Sequence, residues 1–387
     1  MKYSLESSWS ASPAVMSQVG LPEKTGVALE DALEELATGD FQSRWETAKR
    51  LTSFGEAIIE PLLGWLRDDD LDWELRWFAA RILGDFDQAE VVSALLNLFE
   101  TADDEELRQG AADALTRIGP SSVAALSQLL QDPTRKGVAA RAIAQIRHSS
   151  TVSPLLELAQ DEAASLRAMA IEALSGYGDA RIGPVVQAAL ADVAAGVRLE
   201  AVRALGNRRG WLGQADPVAL LEPCLQDLNL EVCQAAIASL SRLSTPRSAE
   251  LLLGLVQLPT TPIPLQQTAI QALGWMETSS ALASLLTLWP GSSTEQRLTI
   301  LAALSRLSDE GLRQQAAKAV MQWLSALAVN PEQSRLRQQA ALTLGQLGWV
   351  EARPLLQSLV DDSDEGVSLH AIAALRSLGN YEKPLES

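Results

Sequence analysis

The chain has 387 residues and a formal charge of −18, which excludes sequence-independent nucleic-acid binding over a broad cationic surface, because displacing phosphate counterions needs positive charge. Two cysteines exclude a disulfide framework, and no apolar run reaches the roughly 18–20 residues that span a bilayer. With no apolar signal-peptide core at its N-terminus, the sequence predicts a cytoplasmic protein without nucleic-acid binding or membrane insertion.

In chain order, residues 1–21 are serine-rich, include Trp9 and show no helical period, so they read as a flexible extension. From about Glu23 a unit recurs about every 31 residues, the mark of stacked helical repeats. Its first helix carries a Pro-Leu-Leu-like core, as at Pro61, Pro154 and Pro354. An acidic turn follows, then a second helix ending on an anchor leucine or isoleucine. The anchors are Leu51, Leu83, Leu115, Ile143, Leu174, Leu205, Leu240, Leu273, Leu304, Leu344 and Leu375. Seven positions earlier stand Arg44, Arg76, Arg108, Lys136, Arg167 and Arg198, then Cys233 and Gln266, then Arg297, Arg337 and Ser368. The expected fold is an all-α superhelix of about eleven helix pairs. Residues 22–206 and 207–379 read as N-terminal and C-terminal stretches of one array, and 380–387 as a tail.

At 100° per residue, the anchor and the positions three, four and seven before it share one face. The basic residue therefore faces inward in the first turn of its helix, where the helix dipole opposes it. It needs a carboxylate partner there. Asp40, Asp70, Asp103, Asp132, Asp161 and Asp192 precede the six successive basic residues, so a structural Asp–Arg ladder along the turns is expected. Gly84, Gly206 and Gly274 directly follow their anchors, while Gly55, Gly119, Gly178, Gly348 and Gly379 come four positions later. Both placements suit left-handed helix caps. Two steps are long, Leu205 to Leu240 and Leu304 to Leu344. The first contains an insertion starting at Gly206, and the second implies a long first helix at about 312–328.

The segments 166–174 (LRAMAIEAL) and 197–206 (VRLEAVRALG) resemble short HEAT repeats, and more narrowly the HEAT-like repeats of cyanobacterial phycobilisome lyases. The resemblance covers nearly all of the chain after residue 23. It implies an α/α superhelix whose second helices line the inner face. It also implies three functional readings. The first is a non-catalytic protein-binding scaffold, adaptor or chaperone, phycobilisome-associated, with a phycobiliprotein as client. The second is a phycocyanobilin lyase or bilin-handling subunit. The third is a partner of an iron–sulfur carrier protein.

No catalytic residue is assigned. The only histidines, His148 and His370, lie in the fourth and eleventh units, too far apart along a solenoid for a shared site. The acidic clusters at the turns read as a solvated edge. Cys224 and Cys233 flank one turn. They read as buried structural thiols, with iron–sulfur ligation shared with a partner as the alternative. The strongest signal is aromatic. Trp45, Trp65, Trp73, Trp77 and Phe78 crowd the first two units of a chain with ten tryptophans. Trp45, Trp77 and Phe78 project away from the core, beside Lys49 and Arg81. Trp45, Lys49, Trp73, Trp77, Phe78 and Arg81 are therefore the expected partner-binding residues, since buried-interface energy concentrates on Trp and Arg. The alternative is a cap over the first repeat's exposed core. Further along, Thr268, Gln271, Thr299 and Ala302 give a small, polar outward surface suited to a closely approaching helix.

Overall fold

The computed structural model describes residues 23–207, 210–213, 215–327 and 331–379. The expected N-terminal extension with Trp9, the C-terminal tail and part of the insertion after Gly206 lie outside these residues. The described residues contain helices and turns and no β-strand. They form two compact units, one ending at Tyr177 and the other beginning at Gly178.

The first unit holds five helix pairs. They are α1 (Glu23–Thr38) with α2 (Phe41–Leu51), α3 (Ile59–Arg67) with α4 (Trp73–Leu83), α5 (Ala89–Thr101) with α6 (Glu105–Ile118), α7 (Val123–Leu129) with α8 (Lys136–Gln145), and α9 (Val152–Leu158) with α10 (Ala164–Leu174). The second unit holds six. They are α11 (Ile182–Ala189) with α12 (Ala195–Asn207), α13 (Pro217–Leu221) with α14 (Leu230–Leu243), α15 (Pro246–Gln257) with α16 (Ile263–Trp275), α17 (Ser279–Leu288) with α18 (Thr294–Leu304), α19 (Glu310–Ala326) with α20 (Ser334–Leu347), and α21 (Arg353–Ser358) with α22 (Glu365–Ser377). In each unit successive second helices pack side by side, which makes each an α solenoid. The long step before Leu344 is filled by α19, which has 17 residues.

Periodicity explains the core. All eleven anchors are buried, as are the residues three and four positions before them, such as Ala79 and Ala80 on α4 and Ile300 and Leu301 on α18. Each fully buried leucine contributes roughly 1.5–3 kcal/mol of burial free energy. Capping side chains start many of the second helices. The carboxylates of Asp40, Asp104 and Asp364 accept from the backbone N–H groups of Ser43, Leu107 and Val367.

The inward basic residues find two kinds of partner. One is a backbone carbonyl near the end of the preceding first helix. Arg44 donates to the Ala37 carbonyl, Arg76 to Leu66, Arg108 to Ala102, Arg167 to Asp161, and Arg198 to Asp192. At two of the three positions where the basic residue is replaced, the bond survives, while Gln266 instead accepts from the Gln296 side chain of the next repeat. Cys233 Sγ donates to the Asp227 carbonyl at 3.2 Å, and Ser368 Oγ to Val360 at 2.6 Å. The other partner is a carboxylate in the turn of the next repeat. Lys136 reaches Asp161 at 2.8 Å. Arg198 grips Asp227 through two bonds of 2.7 and 2.8 Å, and Arg337 grips Asp362 through two of 2.9 Å.

Several expected pairings differ. Arg76 pairs with Asp69 and not Asp70, and Arg44 pairs with Glu74, while Asp40 serves as a cap. Arg108 pairs with Glu105 on its own helix, and Asp104 rather than Asp103 caps α6. Asp132 bonds the Thr134 backbone and hydroxyl and pairs with Arg135. These partners depend on how each turn bends, which residue spacing leaves open.

The glycines also divide. Gly55, Gly119, Gly348 and Gly379 have positive φ, as a left-handed cap requires. Gly84, Gly178, Gly206 and Gly274 do not, and the expectation of caps there is corrected. Gly84, Gly206 and Gly274 are packing glycines, while Gly178 has open space around it. A Cβ at Gly84 would lie 2.9 Å from Ala114 Cα, and one at Gly274 would lie 2.8 Å from Ala303 Cβ, both on the neighbouring second helix.

Candidate functional site

Trp45 and Phe41 lie on α2, and Trp73, Trp77, Phe78 and Arg81 on α4. Because α2 and α4 pack side by side, residues one repeat apart meet. The rings of Phe41 and Trp45 stack with centroids 6.1 Å apart, and Trp45 and Trp77 stack at 6.5 Å. The Arg81 guanidinium lies 4.2 Å from the Trp45 ring centroid and 5.7 Å from that of Trp77. Such cation–π contacts hold the guanidinium by its face and leave its edge free to donate. On the far side Trp77 packs on Gly110 of α6, where a Cβ would lie 2.5 Å from its ring. Glycine there is what lets the indole lie flat against the next helix.

The six expected binding residues thus divide. Trp45, Trp77 and Arg81 form one half-buried array, and Trp73 at the start of α4 is 47% exposed. Lys49 is exposed and pairs with Glu46 at 3.0 Å. Phe78 is corrected: it is 0% exposed. Its ring is covered by Phe41 at 5.6 Å and meets Trp77 edge-on at 5.2 Å. Projection on one helix places it away from that helix's own core, but the neighbouring helix closes over it. Trp65 is likewise buried within α3. Phe41, 55% exposed, belongs to the surface and was missed. The available signal was its position ten residues before the anchor Leu51, which matches that of Trp73 before Leu83.

The cysteines are both free and buried. Burial pushes the Cys224 thiol up to about 11, and the charge of Asp227 adds to that. Burial also raises Cys233. Thiols held protonated in this way are poor nucleophiles and poor metal ligands at neutral pH. Among the described residues no group of three or more His, Cys, Asp or Glu side chains is arranged to hold a metal ion. No helix of the described residues is long and apolar enough to cross a membrane.

A family model for HEAT repeats matches residues 29–116, 59–139, 123–206, 182–264 and 321–386, well over half of the chain. The chain belongs to the HEAT-repeat family. Among solved structures, Importin Beta aligns with a TM-score of 0.56 at 14% identity, over 91% of this chain and 55% of that one. Kap121p bound to Pho4p aligns with a TM-score of 0.60 at 15% identity, over 92% of this chain and 45% of that one. The chain therefore spans about half the length of these two proteins, and the likeness concerns the fold. The complex of CpcE and CpcF of phycocyanin lyase from Nostoc sp. PCC7120 matches at 21% identity over 65% of this chain and 94% of that chain. Its TM-score is only 0.32, so it carries no argument. No curated protein matches the chain. HEAT solenoids of this kind are suited to protein binding, since stacked repeats present a long continuous surface.

Proposed function

We propose that the chain is a non-catalytic protein-binding scaffold or adaptor whose client docks on the α2–α4 surface. The observation that carries this reading is the Arg81 guanidinium lying over Trp45 and Trp77, with exposed Phe41 and Trp73 beside them. A cap would bury its aromatic rings. Here Phe78 is the buried ring, and the surrounding aromatics stay within reach of a partner. Large rigid rings with an arginine among them are the side chains that dominate interface energy. A phycobiliprotein is the client class that the sequence resemblance supports. The test is affinity capture from a phycobilisome-containing lysate, with purified phycocyanin as a defined partner. Trp45→Ala with Arg81→Glu is expected to abolish the interaction while leaving the far-UV circular dichroism intact. Undiminished capture of every partner overturns the reading.

A second reading is favoured by one feature of the same surface. The Arg81 edge beside two indole faces has the chemistry to hold a planar, carboxylate-bearing tetrapyrrole such as phycocyanobilin. Titration of the protein with phycocyanobilin tests it, with and without a partner subunit. An unchanged bilin absorbance spectrum in both cases removes it. The third sequence reading, an iron–sulfur partnership through Cys224 and Cys233, finds no support in thiols that are buried and kept protonated.

A further inference from the structure

The second unit carries a groove unrelated to the aromatic surface. Its volume is about 410 Å³, and four successive second helices, α16, α18, α20 and α22, line it. It exists because the outward residues of α18, Thr299 and Ala302, are short, while those of α16 and α20, Gln271, Trp275 and Gln339, are long. The result is a depression within the size range of binding sites.

Its chemistry is opposite to that of the chain as a whole. Arg335 pairs with Glu295 at 2.9 Å, so that pair is neutral. Arg306, just beyond α18, is exposed and has no carboxylate partner among the described residues. The groove is thus net positive on a chain of charge −18. His370 Nδ1 lies 2.6 Å from the Gly366 carbonyl and donates to it. The side-chain amides of Gln271 and Gln339 also have no partner among the described residues. Trp275 adds an indole that is 55% exposed.

We infer that this groove binds a peptide segment in which an acidic side chain stands next to an apolar one. The acidic residue pairs with the Arg306 guanidinium, whose planar fork matches a carboxylate. The apolar residue packs on Trp275. Gln271 and Gln339 each offer a donor and an acceptor, which is what a peptide backbone requires. Charge complementarity selects this occupant. A basic peptide meets Arg306 as a like charge, and a nucleic acid, charged at every nucleotide, is repelled by the −18 field far more than a segment whose single carboxylate is paired with Arg306.

Fluorescence anisotropy of the full chain tests this with short fluorescein-labelled peptides rich in leucine and glutamate, and with versions carrying glutamine or lysine for glutamate. The glutamate peptide is expected to bind saturably, more tightly than the glutamine version and more weakly as salt rises. Arg306→Gln should weaken it about tenfold, the effect of losing one charge-assisted hydrogen bond. Trp275→Ala should weaken it as well, and Trp45→Ala should not. Both groove positions are exposed, so circular dichroism should be unchanged. Equal binding of the glutamine or lysine peptide, equal competition by an oligothymidylate, or an unaltered Kd in Arg306→Gln overturns the proposal.

Discussion

At the scale of single residues, the position seven before the anchor has one requirement in most units beneath its changing identity. It supplies a donor that reaches back to the end of the preceding first helix, whereas Lys136 and Gln266 bond forward, to Asp161 and Gln296. Arginine meets this with one nitrogen and keeps others for a carboxylate, as Arg198 does with the Asp192 carbonyl and the Asp227 side chain. Cysteine and serine meet the first requirement only. That explains why the ladder can lapse at Cys233 and Ser368 without leaving a buried carbonyl bare. The most buried of these side chains is Arg337, which is 1% exposed and held by Asp362 of the next repeat. Removing one member of a buried, hydrogen-bonded pair strands the other, so Arg337→Ala should cost about 3–5 kcal/mol in urea unfolding. A paired replacement of Arg337 by Met and Asp362 by Leu should recover most of that loss.

The same pairs set an acid limit. Hydrogen bonds from Lys136 and Arg198 hold Asp161 and Asp227 below the ordinary carboxylate range, against the opposing effect of burial. For Asp362 burial is the largest influence and opposes ionisation, but the bonds from Arg337 and the Asp364 backbone outweigh it. A carboxyl depressed in the folded state stabilises it above the unfolded pKa, near 3.9. That contribution is lost as pH falls through the folded values. Urea midpoints should therefore hold from pH 7 to about 5 and fall steeply below about 4. The raised thiols give a separate check. Neither Cys224 nor Cys233 should react quickly with a thiol reagent at pH 8 until denaturant is added. Of all this, the inward position and its donor were legible in the sequence, because helical period fixes them. The identity of the acidic partner was not. Whether Asp69 or Asp70 meets Arg76 depends on the path of a turn.

At the scale of helices, closeness is set by what is missing. Gly274 on α16 and Gly345 on α20 face Ala303 and Ala374 on the next second helix, where an added Cβ would stand 2.8 Å from the alanine Cβ. Gly254, inside α15, has open space around the same position. One substitution should therefore have opposite effects. Gly274→Ala should destabilise by about 1–3 kcal/mol through overpacking. Gly254→Ala should stabilise by about 0.5–1 kcal/mol by restricting the unfolded chain and favouring helix. Thermal melts of the two variants read the difference in sign. In the sequence both are glycines in amphipathic helices, and only the neighbouring helix distinguishes them. The same limit applies to the sites. Trp45 and Trp77 could be found from their spacing because each stands six positions before its anchor in adjacent repeats, and Arg81, like Lys49, stands two before. The burial of Phe78 could not, because Phe41 of the preceding helix causes it. Nor could the groove, since it is a difference in side-chain length across four helices.

At the scale of the whole molecule, repeat architecture determines how damage spreads. Within each unit, successive second helices contact one another, so the stability of a unit is a sum of local terms and nearest-neighbour interfaces. A lesion should therefore weaken its own pair most and its neighbours next. Arg337 lies at the junction of α20 and α22, which pack closely and share the bond from Arg337 to Asp362. The second unit offers an internal reference in α12 and α14, which are tied by the separate pair Arg198 and Asp227. In Arg337→Ala, hydrogen exchange should accelerate in α20 to α22, with a smaller change in α18. Amides of α12 and α14 should keep their wild-type rates under native conditions, because no contact of theirs is altered. Uniform acceleration across α12 to α22 would mean that this unit opens as one cooperative body. Graded acceleration would mean that the groove between α16 and α22 can loosen while the helices before it stay closed.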